Sequence, residues 1–128
     1  MLRRYRTIAV VGLSSDETRD SYSVSKYMQD AGYRIIPVHP TASEVLGEKA
    51  HPTVAAVPAP VQIVNVFRRP EFVPAVVDDA IAAGASVIWM QEGIVHEEAA
   101  ARAREAGLEV VMDRCIRSAH RRLRAEPE

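Results

Sequence analysis

The strongest constraint on this chain is an alternation. Short β-branched runs, each ended by a turn residue, are separated by stretches with helical periodicity, the pattern of a parallel sheet covered on both faces. Residues 7–11, 34–38, 62–67, 86–90 and 109–112 read as five strands. Helical spacing marks a helix after Ser21 or Ser23, either of which can cap it, in which Val24, Tyr27, Met28 and Ala31 recur. Further helices are expected from Pro70 to Gly84, from Glu97 to Ala106 and from Ile116 to Leu123, with a frayed end over 125–128. The stretch 41–60 is irregular, with a short extended piece at 45–47 and one helical turn at 53–57. The 128 residues, 48% of them hydrophobic, suit one core. The expected architecture is a single doubly wound, Rossmann-like α/β domain over residues 1–128, built on a mainly parallel five-stranded sheet.

Charge narrows the partners. Sixteen Lys and Arg stand against 17 Asp and Glu, a net charge of -1. Binding to nucleic acid or to an anionic membrane would rest on a basic excess, so neither is expected, although arginines gather between Arg114 and Arg124. No apolar run approaches the roughly 20 residues of a spanning helix, and the N-terminal run stops at Gly12 before any secretory segment forms. Cys115 is the single cysteine, which excludes an internal disulfide and a multi-cysteine metal site. His39, His51, His96 and His120 show no ligand spacing, so no metal is expected. The simple reading is a cytoplasmic protein.

Right-handed crossovers bring the C-terminal ends of all five strands to one edge, where ligands of open α/β sheets bind. The segments meeting there are Gly12-Leu13-Ser14-Ser15, Val38-His39-Pro40, Phe67-Arg68-Arg69, Gln91-Glu92-Gly93 and Asp113-Arg114-Cys115. Gly12 permits a sharp turn, and the amides and hydroxyls after it suit phosphate oxygens beside a helix N-terminus. Arg19, Arg68, Arg69 and Arg114 converge on the same edge by topology and suit a ligand with several negative charges. Three other ligands fail at specific positions. There is no G-x-G-x-x-G and no acidic residue after the second strand for nicotinamide cofactors, no G-K-[ST] for a P-loop, and no acidic cluster for a phosphorylated receiver domain. Cys115, beside Arg114 and before a helix, reads either as a reactive thiol of lowered pKa or as a buried inert one.

The ordered stretches I-A-V-V-G-L-S, R-D-S-Y-S-V-S-K-Y-M, G-Y-R-I-I-P-V-H-P, V-N-V-F-R-R, W-M-Q-E-G-I and V-V-M-D-R-C run from Ile8 to Cys115. With them the chain resembles the small stand-alone CoA-binding proteins, and so the N-terminal CoA-binding domain of the succinyl-CoA synthetase α subunit. The resemblance implies coenzyme A as the cofactor, with Gly12, Ser14 and Ser15 at its pyrophosphate, Leu13 a candidate within the same turn, and Arg19 approaching a phosphate. It implies Val38, His39 and Pro40 beside the adenine or ribose, His39 replacing the small polar residue often found there. Phe67 and Arg68 would line the groove, Gln91, Glu92 and Gly93 would close its other side, and Arg114 completes the candidate set. The synthetase's phosphorylated histidine lies in a separate domain without counterpart here. The expected function is therefore binding of CoA or an acyl-CoA with no catalytic residue. The alternatives are a thiol enzyme or redox protein using Cys115, and a CoA-responsive regulator or scaffold with an unknown protein partner.

Overall fold

All five strands expected from the sequence form, and each lies parallel to its neighbours. The computed structural model describes residues 2–58 and 60–125. The elements run β1 (Thr7–Val11), α1 (Asp20–Asp30), β2 (Arg34–Val38), β3 (Glu44–Val45), β4 (Glu48–Lys49), β5 (Ile63–Val66), α2 (Val73–Ala82), β6 (Val87–Met90), α3 (Glu97–Glu105), β7 (Glu109–Val111) and α4 (Ile116–Ala125). The main sheet has the order β2-β1-β5-β6-β7, with every pairing parallel. The fold is α/β and Rossmann-like.

Strand periodicity of two divides the core into two layers. Ile8, Val10, Ile63, Val87 and Trp89 face Val24 and Met28 of α1 and Ile116 of α4. Ala9, Val11, Val64, Val66, Ile88 and Met90 face the other way. They pack on Val73, Val76, Val77 and Ala80 of α2 and on the alanines Ala99, Ala100 and Ala103 of α3. Each fully buried Val, Leu or Ile is worth about 1.5–3 kcal/mol relative to exposure. The near-continuous apolar runs of the strands are the consequence of this double burial.

Polar ties hold the ends of these elements. Gln62 Oε1 accepts the amides of Arg6 (2.7 Å) and Thr7 (3.0 Å), fixing the start of β1. The buried His120 ring of α4 meets the Tyr27 hydroxyl of α1 through Nδ1 at 2.9 Å and stands edge-on to Tyr27 and Tyr33. Burial, then the nearby Arg124 and Arg6 charges, push the pKa of His120 down, so the neutral ring is favoured.

Several boundaries differ from expectation. Neither Ser21 nor Ser23 caps α1: Arg19 occupies the cap position in extended backbone without a side-chain bond. Ser21 instead lies buried in the first turn, and its Oγ accepts the Ser14 amide at 3.1 Å. Pro70–Phe72 form a 3-10 turn before α2. The extended piece at 45–47 is a hairpin, in which β3 and β4 pair antiparallel around Leu46 and Gly47. Both turn residues have positive φ (56° and 75°), as a two-residue primed turn requires. The turn expected at 53–57 forms as a 3-10 helix, Val54–Ala56, capped by Thr53. Helix α4 continues to Ala125, and the rest of the expected frayed end lies outside the described residues.

Candidate functional site

The parallel pairings place Val11, Val38, Val66, Met90 and Val111 on one edge of the sheet. The order reverses between β1 and β5, because the chain moves outward from β1 to β2 and then crosses back. That reversal opens a crevice above the strand ends. Its floor is continued by ladder bonds past the strands, from the Gly12 amide to Val38 O (2.9 Å) and from the Phe67 amide to Val11 O (2.9 Å).

Gly12 is fixed by sterics at this point. Its φ is +87°, and a Cβ there would lie 2.5 Å from the Phe67 carbonyl oxygen and 3.0 Å from Arg68 Cδ. The requirement for glycine is thus internal, a close crossing of two chain segments.

Two open clefts flank the crossing. The first, about 530 Å³, is lined by the turn residues Gly12 and Ser14, the loop residues Thr18 and Arg19, Asp20 and Ser21 of α1, and His39 and Phe67. Much of the turn is satisfied by itself. The Gly12 and Ser14 amides are already committed, Ser14 Oγ accepts the Asp16 amide (3.0 Å), and Asp16 Oδ1 accepts the Thr18 hydroxyl (2.6 Å) and amide (2.9 Å). Those Thr18 bonds, side chain first, hold the Asp16 carboxyl below its ordinary value. Donors lining the cleft include the Ser14 and Ser21 hydroxyl groups and Arg19, with the positive end of the α1 dipole behind them. Ser15 is exposed beside them. Leu13 is fully buried in the core, so only its backbone can meet a ligand, and Val38 is buried but for its part in the wall of a slot on the α2 side. Pro40 is exposed. His39 is occupied locally, because its Nδ1 accepts the amides of Thr41 (3.2 Å) and Ala42 (3.0 Å) and so closes the turn after β2. Only its Nε2 remains for a ligand.

The second cleft, about 470 Å³, shares Asp20 and Phe67 with the first and runs past Arg68, Arg69, Gln91, Glu92 and Gly93 to Cys115 and Arg117. The Arg68 guanidinium lies 4.3 Å from the centroid of the Phe72 ring, which orients it. Arg69 is exposed and pairs with Glu71 at 3.6 Å. Gln91 is 4% exposed and does more than wall the groove, since its Oε1 accepts the first amide of α4, Ile116 N, at 2.9 Å. The Gly93 amide is likewise taken, by Asp113 Oδ1 at 2.7 Å.

Cys115 immediately precedes α4, at the position from which a side chain can cap the helix. Burial pushes the thiol pKa up, but bonds from the Ser118 amide and hydroxyl, the Gln91 side chain and the Arg117 amide together prevail, leaving it below the ordinary value. Arg114 does not join this site. It borders a separate small cleft with Ser118, Ala119, Arg122 and Leu123, while its carbonyl accepts Trp89 Nε1 at 2.8 Å. Arg117, one residue into the first turn past Ile116, takes the place expected of it. The sequence signal for Arg117 is the helix start itself, because the first turn after an edge strand faces the crevice. A narrower apolar slot of about 160 Å³ opens on the α2 side between Val11, Val38, Val54, Phe72 and Val76, with Arg68 at its rim. Among the described residues, no three His, Cys, Asp or Glu side chains gather to hold a metal, and no helix is long and apolar enough to cross a membrane.

An open parallel sheet whose strand order reverses beside these clefts defines a Rossmann-like α/β domain. Residues 6–121 match the model of the CoA binding domain, and the chain belongs to that family. It is 50% identical to the Bacillus subtilis protein YneT over 120 residues, 94% of this chain and 89% of that one. A solved Pyrococcus horikoshii protein superposes with a TM-score of 0.93 at 41% identity, covering 95% of this chain and 86% of its own. A dinucleotide-forming acetyl-coenzyme A synthetase of Ca. Korarchaeum cryptofilum, solved with phosphate and ADP, matches with a TM-score of 0.77 at 27% identity. That match covers 84% of this chain and 26% of the synthetase.

Proposed function

We propose that the protein holds CoA or an acyl-CoA stretched along the C-terminal edge of the sheet and performs no chemistry of its own on the acyl group. The observation that carries this reading is the adjacency of the two clefts along the sheet edge, with Asp20 and Phe67 in the walls of both. CoA is a long ligand with a planar base, phosphates and a thin arm ending in sulfur. The diphosphate fits the Ser14, Ser15 and Arg19 side of the groove, where hydroxyls, a guanidinium and a helix N-terminus meet. The slot between Val38, Val54 and Phe72, rimmed by Arg68, suits the flat adenine, and the arm then follows Phe67 toward Glu92 and Gly93. Likeness to part of an acetyl-coenzyme A synthetase supports the same ligand class. The binding reading also fits a cytoplasmic protein, where a single thiol stays reduced.

Thermal unfolding with and without ligand tests this. CoA at about 100 times its dissociation constant stabilises the native state by about 2.7 kcal/mol and raises Tm by several degrees. NAD is expected to give no shift. Equal shifts with the two ligands, or none at millimolar CoA, would overturn the reading.

A further inference from the structure

We propose that the outer face of α4 is a docking surface for an acidic segment of another protein, with an apolar side chain of that segment seated between Arg114 and Arg122. The cleft concerned lies apart from the groove assigned to CoA, and the proposal stands whether or not CoA is the ligand there.

From Arg114 to Ala125 the chain holds five arginines and no Asp or Glu. Elsewhere arginines find carboxylates: Arg4 pairs with Glu109 at 3.7 Å, Arg69 with Glu71 at 3.6 Å and Arg102 with Asp78 at 2.9 Å. Among the described residues, none of the five arginines after β7 forms an ion pair. Helix α1 packs beside α4, but its Asp30 is held by Lys26 at 3.4 Å and its Asp20 lies at the groove. Arg117 and Arg121 stand four residues apart and Arg121 and Arg124 three apart, so like charges meet along the helix. Arg121 lies 5.1 Å from the centroid of the Tyr27 ring. The exposed side chains of Arg114 and Arg122 have no hydrogen bond, ion pair or ring contact among the described residues, and both border the same cleft.

The lining of that cleft, about 270 Å³, selects the partner. Ser118 and Arg122 stand four residues apart, as do Ala119 and Leu123, so two adjacent rows of one helix face form it. Arg114 closes one end from the loop after β7. Its backbone is fixed there, because its carbonyl accepts Trp89 Nε1 at 2.8 Å and its amide donates to Met90 O at 3.3 Å. Ala119 and Leu123 are half-buried against the core and lay an apolar floor between the two guanidinium groups. A carboxylate can meet a guanidinium through two parallel hydrogen bonds, and an aliphatic neighbour on the same segment covers the floor. Nucleic acid fits less well. No aromatic ring lines the cleft to stack a base, and a net charge of -1 gives the chain no long-range pull on a polyanion.

Fluorescence anisotropy tests this on the full-length chain without CoA, at low salt, with a short labelled peptide of glutamates around a central leucine. Replacing Arg114 and Arg122 together by Ala should weaken binding at least about tenfold. Both side chains are exposed, so the fold is expected to survive, and the circular dichroism melting curve checks it. Arg104→Ala on α3, in the opposite layer, should leave the affinity unchanged. Serine in place of the peptide's leucine should weaken binding, and so should added salt. Absent binding, indifference to the double variant, or equal binding of the serine peptide would overturn the proposal. Two further outcomes would also overturn it by giving the surface to another occupant. One is an oligothymidylate of equal charge displacing the peptide at lower concentration. The other is a dimer in sedimentation that the double variant dissolves, which would make the occupant a second copy of this chain.

Discussion

The two ends of the groove are built in opposite ways. The turn between β1 and α1 is made from one local stretch, Gly12 to Ser21, and beyond the Gly12 ladder bond to Val38 its side-chain bonds run between residues two to seven apart. The corner below α4 is assembled from distant segments. Gln91 reaches Ile116, Trp89 reaches the Arg114 carbonyl, and Asp113 holds the Gly93 amide. A local turn with its hydroxyls and Arg19 exposed can rearrange around an anion at little cost. The corner cannot move without breaking buried bonds, so it sets the position of whatever reaches it. One end adapts to a ligand, and the other gauges it.

The largest break is expected where the turn crosses the neighbouring chain segment. Gly12→Ala would put a methyl 2.5 Å from the Phe67 carbonyl oxygen in a left-handed backbone. The strain and the overpacking together should cost roughly 2–4 kcal/mol, read by urea denaturation. A loss below about 1 kcal/mol would mean that the crossing is looser than the geometry states.

On the adaptable side, Arg19→Ala or Arg68→Ala should leave the fold intact and remove about 1.5–3 kcal/mol of CoA affinity, tenfold or more. Calorimetry decides it, and Arg114→Ala, which borders a different cleft, should cost less than either. If Arg114 proves the most costly of the three, the boundary drawn between the clefts is wrong.

On the rigid side, Gln91→Ala strips the Ile116 amide of its acceptor and should destabilise the protein by about 1–3 kcal/mol. The same change removes a donor from Cys115, so the pH profile of thiol alkylation should move upward. Stability loss with an unmoved profile would show that Gln91 caps the helix without tuning the thiol.

The smallest effect concerns pH. The His120 pKa is lowered in the fold, so the unfolded chain, with an ordinary value of about 6.5, binds its proton first. Stability should be level above that pH and fall as pH drops through the window between the unfolded and folded values. His120→Phe should flatten this dependence in denaturation midpoints taken between about pH 5 and 7. A persistent slope would point to another group.

Much of this molecule is readable without coordinates because strand parity and helix spacing are local. Ile8 and Val10 against Ala9 and Val11 already imply two faces, and a glycine at the end of β1 implies a turn at the sheet edge. The ordered motifs from Ile8 to Cys115 carry the CoA resemblance, and the family match agrees with it. Side-chain direction at element ends is not local. Position along the chain makes His39 a ligand neighbour, yet its Nδ1 closes its own turn; position makes Gln91 a wall, yet it also caps α4. Arg114 precedes α4 and Arg117 lies in its first turn, and only the path of the chain into that helix decides which one lines the second cleft. Sequence alone determined the layers and the edge, because burial periodicity is written residue by residue. The groove's donors were decided by tertiary structure, because a polar atom is available to a ligand only after the protein's own amides have taken their partners.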